Sequence, residues 1–361
     1  MNNKDHFLTL DGFRGIAALL VVLRHTLPYF DGNPFFSSYL AVDLFFLLSG
    51  AVLARSYEAK LLTGMTLREF LKVRLLRLYP LYFLGMILGI IASLTDSLPY
   101  KGHTAISAVF GMMLLPALYT TVLFPLNGPA WSLSAELMVN VAYALKIKKL
   151  SDRVLLTVMG VSLLCLIVFS LYWPAHNFDA GFYRKTYYVS FLRVGFSFAA
   201  GVLLYRLFLR KGVPTKVDNS KALLCIVAVT LILAASPAKS LLPLYDALAI
   251  AIAFPILVYA GMRYQVSGFL ATACKFFGAI SYPIYIVHLP VAEFVRQQYE
   301  VITGQEIRVH APVAGFVFVA ALIVFAWLLN KFYDEPVRRA VGAWLSGRKP
   351  AAGTPPPIQS A

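Results

Sequence analysis

Eleven apolar stretches of membrane-spanning length run through the chain, near 12–30, 37–56, 78–95, 104–124, 131–146, 153–172, 186–209, 221–236, 242–262, 272–298 and 311–331. A hydrocarbon core of roughly 30 Å takes about twenty apolar residues to cross as a helix. Backbone polar groups have no water to bond in that core, so each stretch must satisfy them internally. The fold class that follows is all-α: a polytopic membrane helical bundle. Composition agrees, with 59% apolar residues, 14% charged residues and a mean hydropathy of +0.72. Soluble domains hold about 45–50% apolar residues.

Loop charge sets the number of crossings. Basic clusters lie at 55–77 (Arg55, Lys60, Arg68, Lys72, Arg74, Arg77), 146–153, 206–221 and 331–349, and the loops between them are poorer in Lys and Arg. If all eleven stretches crossed, the first two clusters would face opposite sides and one would break the positive-inside rule. If 104–124 does not cross, every large cluster is cytoplasmic. That stretch holds Pro116 and leads into Pro125, Gly128 and Pro129, which suits a re-entrant or surface segment. Ten crossings with both termini cytoplasmic are therefore expected, in a multi-pass membrane domain over 1–345 with a disordered cytoplasmic tail at 346–361, rich in Pro and Gly.

The net charge of +15 is explained by these loops, and no basic arm interleaved with aromatics points to nucleic acid. The N-terminus lacks a signal-peptide layout, so the first helix is expected to stay attached. Cys165, Cys225 and Cys274 are far apart in or beside apolar runs, which argues for packing residues rather than a disulfide framework or a metal site.

Titratable residues at membrane depth mark function by default. "LDGFRGIAALLVVLRH" carries Arg14 and His25, eleven positions apart. At 100° per residue both side chains share one helix face, about 16 Å apart along the axis. Arg14 then lies near the cytoplasmic surface and His25 past the midplane. Asp11 can cap this helix and stands three residues before Arg14, close enough to pair with it. Arg24 either anchors the outer surface or lines the same cavity as His25.

"AVDLFFLLSG" puts Asp43 inside the second helix. "GPAWSLSAEL" puts Ser132, Ser134 and Glu136 at the outer start of the fourth. "SYPIYIVHLP" puts Ser281, Tyr285 and His288 on one face, bracketed by Pro283 and Pro290 that would bend the helix. "RLLRLYPLYF" gathers Arg74, Arg77, Tyr79 and Pro80 at the cytoplasmic start of the third helix. Arginines there serve topology, or they form a polyanion site, since guanidinium forks match phosphate.

Together these stretches resemble the acyltransferase-3 family of integral membrane acyltransferases. The first is close to that family's first-helix signature, a basic residue, ten residues and a His, which Arg14 and His25 match. "AVDLFFLLSG", "RLLRLYPLY", "GPAWSLSAEL", "ISYPIYIVHLPV" and "DEPVRR" (Asp334–Arg339) resemble later family blocks in the family's order, from about residue 8 to 340. There are departures. Only Glu136 remains acidic after the Trp-Ser-Leu block, where two acidic residues or one and a Gln are usual, and the fused esterase-like domain common in the family is absent from the sequence.

The resemblance implies ten crossings, as the charge argument does. It also implies an acyl-CoA-dependent O-acyltransferase. Such an enzyme moves an acyl group, often acetyl, from cytoplasmic acyl-CoA to a hydroxyl of an extracytoplasmic or lipid-linked saccharide, in the inner membrane of a bacterium. Acyl-CoA is then the donor substrate, with no permanently bound cofactor and no metal. On this reading Arg14, Arg74, Arg77 and Tyr79 hold the phosphates of coenzyme A, and His25 is the general base or, as the alternative, carries the acyl group itself. Glu136 or Asp43 fixes the tautomer of His25, and His288 or Tyr285 stabilises the oxyanion or positions the acceptor. Asp11, Ser132 and Ser134 support the site. The rival is a transporter or flippase of a glycan or lipid intermediate. Nothing in the sequence sets the acceptor, the length of the acyl group or the number of subunits.

Overall fold

A computed structural model of the chain describes residues 6–32, 36–95, 104–212 and 214–345. The tail at 346–361 lies outside the described residues. Seven helices are long and apolar enough to cross a membrane: α2 (Phe36–Leu62), α3 (Leu67–Leu94), α6 (Asp152–Tyr172), α7 (Arg184–Arg210), α9 (Lys239–Arg263), α10 (Gly268–Thr303) and α11 (Val313–Leu345). Three shorter or more charged helices bring the candidate crossings to ten: α1 (Leu8–His25), α5 (Ala130–Lys146) and α8 (Asn219–Ala234). The protein is a polytopic helical membrane bundle.

The eleventh helix, α4 (Thr104–Met112), is nine residues long and does not cross. Thr104 meets Ser93 near one end of α3, hydroxyl to hydroxyl at 2.8 Å. At the other end of α4, the Met112 carbonyl accepts from Tyr79 at 2.9 Å and that of Gly111 from Tyr82. Ser93 and Tyr79 are fourteen residues apart on α3, about 21 Å at helical rise. The chain then returns: Leu126 lies against Gly89, where an added Cβ would sit 2.1 Å from the Leu126 carbonyl oxygen. The segment runs along α3 to the level of Tyr79 and then turns back toward Gly89, as the re-entrant reading requires.

Polar contacts sort the loops into two ends. Arg206 donates to Glu58 (2.8 Å), Asp152 (2.9 Å) and the Leu150 carbonyl (2.8 Å), so the basic segments after α2, α5 and α7 share one end. Lys216–Val217 (β1) pairs with Tyr264–Gln265 (β2), and Thr9 donates to the Tyr264 carbonyl at 2.6 Å, which brings the start of α1 to the same end. By the positive-inside rule this end is cytoplasmic. At the far end Arg24 pairs with Asp179 at 2.6 Å and Val122 bridges Tyr183.

Local chemistry fixes the helix starts on the basic side. Thr66 and Glu69 form a capping box on α3, and Ser151 and Asp218 cap α6 and α8 by accepting from Val154 and Lys221 backbone N–H groups. Asp11 does not cap α1, contrary to the sequence reading. The helix begins one turn earlier, at Leu8, and Asp11 lies within its first turn. The helices α2 and α7 cross in close contact. A Cβ on Gly50 would meet the Phe198 carbonyl oxygen at 2.2 Å, and one on Gly201 the Leu47 oxygen at 2.1 Å. Backbones approach this closely only through such small residues.

Candidate active site

The clearest polar constellation pairs the two histidines expected at membrane depth. His25, the last residue of α1, and His288 on α10 are 263 positions apart, yet His25 Nδ1 lies 2.8 Å from His288 Nε2. His288 is fully buried, whereas His25 is exposed. Their tautomers follow from the neighbours. His288 Nδ1 faces the Tyr285 carbonyl at 2.8 Å and the Ile284 carbonyl at 3.2 Å. Carbonyls only accept, so Nδ1 carries the proton and a neutral His288 accepts at Nε2. His25 Nδ1–H donates to it, which leaves His25 Nε2 with a lone pair and no hydrogen-bond partner among the described residues. A buried histidine thus holds an exposed one in the form that can take a proton.

Pro290 helps to build this turn of α10. Proline has no N–H, so the Ile286 carbonyl loses its helical donor. Asn127, at the end of the re-entrant segment, donates Nδ2 to that carbonyl at 2.9 Å. The helix runs on through both Pro283 and Pro290.

A pocket of about 120 Å³ reaches toward the histidines from the basic end. Arg14, Arg74 and Arg77 line it at that end, Ser49 and Glu136 in the middle, and Phe45, Ser132 and Tyr285 further out. Three guanidiniums face two carboxylates there. Glu136 accepts from Arg74 at 2.8 Å and from Ser49 at 2.5 Å, while Asp11 lies 3.5 Å from Arg14. His6, just before α1, sits 3.3 Å from Asp11. Burial holds the His6 imidazole below its usual range, with Asp11 opposing the shift, so at neutral pH the carboxylate of Asp11 answers Arg14 rather than an imidazolium. Arg74 Nε and Arg77 Nη1 are buried with no hydrogen-bond partner among the described residues. Buried donors of this kind fit an anionic ligand.

Tyr285 closes the outer part of the pocket. Its hydroxyl is 2.7 Å from that of Ser132, which itself donates to the Pro129 carbonyl at 3.0 Å. The Tyr285 ring centroid is 6.1 Å from that of His288. The pocket therefore stops one helical turn short of the histidine pair.

Several expected roles change. Glu136 and Asp43 do not touch His25, because each carboxylate is held by an arginine elsewhere. Asp43 is fully buried against Arg193, with the shortest contact at 2.6 Å, and Arg193 also donates to the carbonyls of Tyr39 and Ala180. The orienting group of His25 is His288, which is correspondingly no oxyanion donor, since its one N–H is committed to the backbone. Tyr79 turns away from the arginines to brace α4. Ser134 donates to the Leu114 carbonyl at 2.8 Å and fastens the re-entrant segment. Arg24 is an outer-surface anchor, bound to Asp179 and the Phe36 carbonyl. Sequence reasoning missed Ser49, Phe45 and Asn127. The first two lie in the "AVDLFFLLSG" stretch at helical spacing with Val42, a signal that was available.

The family model described as "Acyltransferase domain" matches residues 7–331, nearly the whole chain. "Protein 2 in picA locus" of Rhizobium radiobacter is 42% identical over 181 residues, covering 45% of this chain and 94% of that protein. No solved structure matches. With the arginine-lined pocket, the paired histidines and the family match over the same span, the chain belongs to the acyltransferase-3 family of membrane acyltransferases.

Proposed function

We propose that the protein moves an acetyl group from cytoplasmic acyl-CoA to a hydroxyl of an extracytoplasmic or lipid-linked saccharide, working in the inner membrane of a bacterium. The observation that carries this reading is the pocket itself, cationic at the basic end and ending one turn from His288, whose Nε2 lies 2.8 Å from Nδ1 of the exposed His25. Coenzyme A has a polyanionic nucleotide end and a thin pantetheine arm. The volume of 120 Å³ is well under the roughly 300–1,000 Å³ of sites that enclose drug-sized ligands, so the pocket suits an extended arm and leaves the nucleotide at the mouth. Arg14, Arg74 and Arg77 would hold its phosphates.

The chemistry then runs as general-base acyl transfer. His25 Nε2 takes the proton of the acceptor hydroxyl as its oxygen attacks the thioester carbonyl. The imidazolium that forms keeps its Nδ1–H bond to His288. The tetrahedral intermediate collapses with cleavage of the C–S bond, and the departing sulfur of coenzyme A takes the proton back from His25. The acceptor reaches His25 from the outer side, the donor from the inner.

The test is release of free thiol from acetyl-CoA by purified protein, together with mass spectrometry of surface glycans from cells with and without it. His25→Ala is expected to lower turnover by about 10²–10⁴-fold, and Arg14→Ala to weaken acetyl-CoA binding. Undiminished transfer by His25→Ala rejects the base. Transport of a glycan or lipid without thioester turnover reassigns the protein as a carrier.

A further inference from the structure

The pocket changes chemical character along its length. Val42, Phe45, Ser49 and Val52 line it from one stripe of α2, and their ten-residue spread corresponds to about 15 Å. From the basic end outward the wall passes from guanidinium, through the Ser49–Glu136 hydrogen bond, to aromatic and aliphatic side chains. Phe45 stands edge-on to Tyr285 with centroids 5.6 Å apart, and Tyr285 is the ring next to His288. These two rings line the outer part of the pocket, with Val42 one turn further out on α2.

Charge is missing from that end for a structural reason. The nearby guanidiniums are both spent. Arg193 is bound to Asp43 and two carbonyls, and Arg24 to Asp179 and the Phe36 carbonyl. Among the described residues the only cations that line the pocket are Arg14, Arg74 and Arg77 at its mouth. A carboxylate on the tip of the acyl group would be buried against apolar side chains without a partner, which is costly.

The geometry points to Phe45 as the residue that sets acyl selectivity, acting as a stop that admits a short, uncharged acyl group and turns away longer chains and dicarboxylic half-thioesters. This inference rests on the acyl-CoA reading above. Phe45 limits length by occupying the space a longer chain would need, and the commitment of Arg193 and Arg24 removes any counter-ion for a succinyl carboxylate.

Purified full-length protein in detergent is assayed for thiol release with acetyl-, butyryl- and succinyl-CoA. The wild type is expected to favour acetyl over butyryl by roughly tenfold or more, the discrimination that added methylenes bring in a tight apolar pocket, and to turn over succinyl-CoA poorly. Phe45→Ala should shift the butyryl-to-acetyl ratio of kcat/KM upward by at least about tenfold and leave the succinyl-to-acetyl ratio low. Phe45→Leu, which keeps more of the packing, should shift it in the same direction by less. Equal use of acetyl and butyryl by the wild type, good use of succinyl, or an unchanged ratio in both folded variants overturns the inference while leaving the donor reading intact. Absence of thiol release from every acyl-CoA rejects the donor reading and this inference with it.

Discussion

Replacing His288 with Ala tests whether a buried histidine orients the base. Its Nε2 accepts the only protein hydrogen bond described for His25, at 2.8 Å, and in the transition state that bond comes from an imidazolium. Hydrogen bonds to charged groups contribute about 1.5–3 kcal/mol, and each 1.36 kcal/mol is a factor of ten in rate. His288→Ala should therefore lower kcat by roughly ten- to 150-fold. The KM for acetyl-CoA should hold, because His288 does not line the arginine-lined pocket proposed for the donor. His288→Gln keeps an acceptor of similar reach and should recover a substantial part of the loss. The assay is thiol release from acetyl-CoA with an acceptor glycan present, alongside a thermal melt of each variant in detergent. Full activity in a folded His288→Ala protein refutes the orienting role. A loss equal to that of His25→Ala, with no recovery in His288→Gln, refutes it too, because His288 would then move a proton itself.

Asp43→Ala strands the guanidinium of Arg193 in a fully buried site and should cost about 3–5 kcal/mol of stability; a melt shows this, and Arg193→Met in the same chain should restore part of it. Activity of the folded Asp43→Ala fraction should match wild type, and a selective loss of turnover would return Asp43 to the catalytic site. Gly201→Ala puts a Cβ 2.1 Å from the Leu47 carbonyl oxygen, so α2 and α7 must part, at a cost of about 1–3 kcal/mol; an unchanged melting temperature would mean the crossing is looser than described. Arg77→Met removes a half-buried cation whose Nη1 is buried and unpartnered among the described residues and should weaken acetyl-CoA binding by ten-fold or more, taking about 1.5–3 kcal/mol for a charge-assisted bond; unchanged affinity by calorimetry would exclude Arg77 from phosphate binding.

What could be read from the sequence was whatever depends on one dimension. Run length and loop charge gave the crossings, and the prolines at 116, 125 and 129 with the positive-inside rule singled out the one apolar stretch that turns back. Helical phase put Arg14 and His25 on one face and Ser281, Tyr285 and His288 on another. Phase also bore on Tyr79. Two residues beyond Arg77 it points about 200° away, and the structure finds it bracing α4; adjacency in a motif outweighed geometry in the expectation. Partners were another matter. Asp43 meets Arg193 across 150 positions and His25 meets His288 across 263. Each of these polar groups has several candidate mates in sequence, and only the packing of helices chooses between them.

That choice explains why two carboxylates that looked catalytic serve other ends. A carboxylate at membrane depth is costly unless an opposite charge is held against it, and each of these two is held by an arginine: Glu136 by Arg74, and Asp43 by Arg193. No carboxylate is left for His25, so its Nδ1–H is satisfied by a neutral imidazole whose own N–H is anchored on the backbone. The consequence is chemical. A carboxylate would stabilise the imidazolium strongly and make the proton slow to return to the leaving sulfur. On the proposed mechanism, a neutral acceptor fixes the same tautomer with less electrostatic hold, so the proton taken from the hydroxyl would be more readily given back. Substituting His288 with Asp, which supplies the missing carboxylate, should then separate the two halves of the reaction. Proton abstraction becomes easier and proton return harder, and a solvent isotope effect on kcat larger than that of the wild type would report the shift toward the second step.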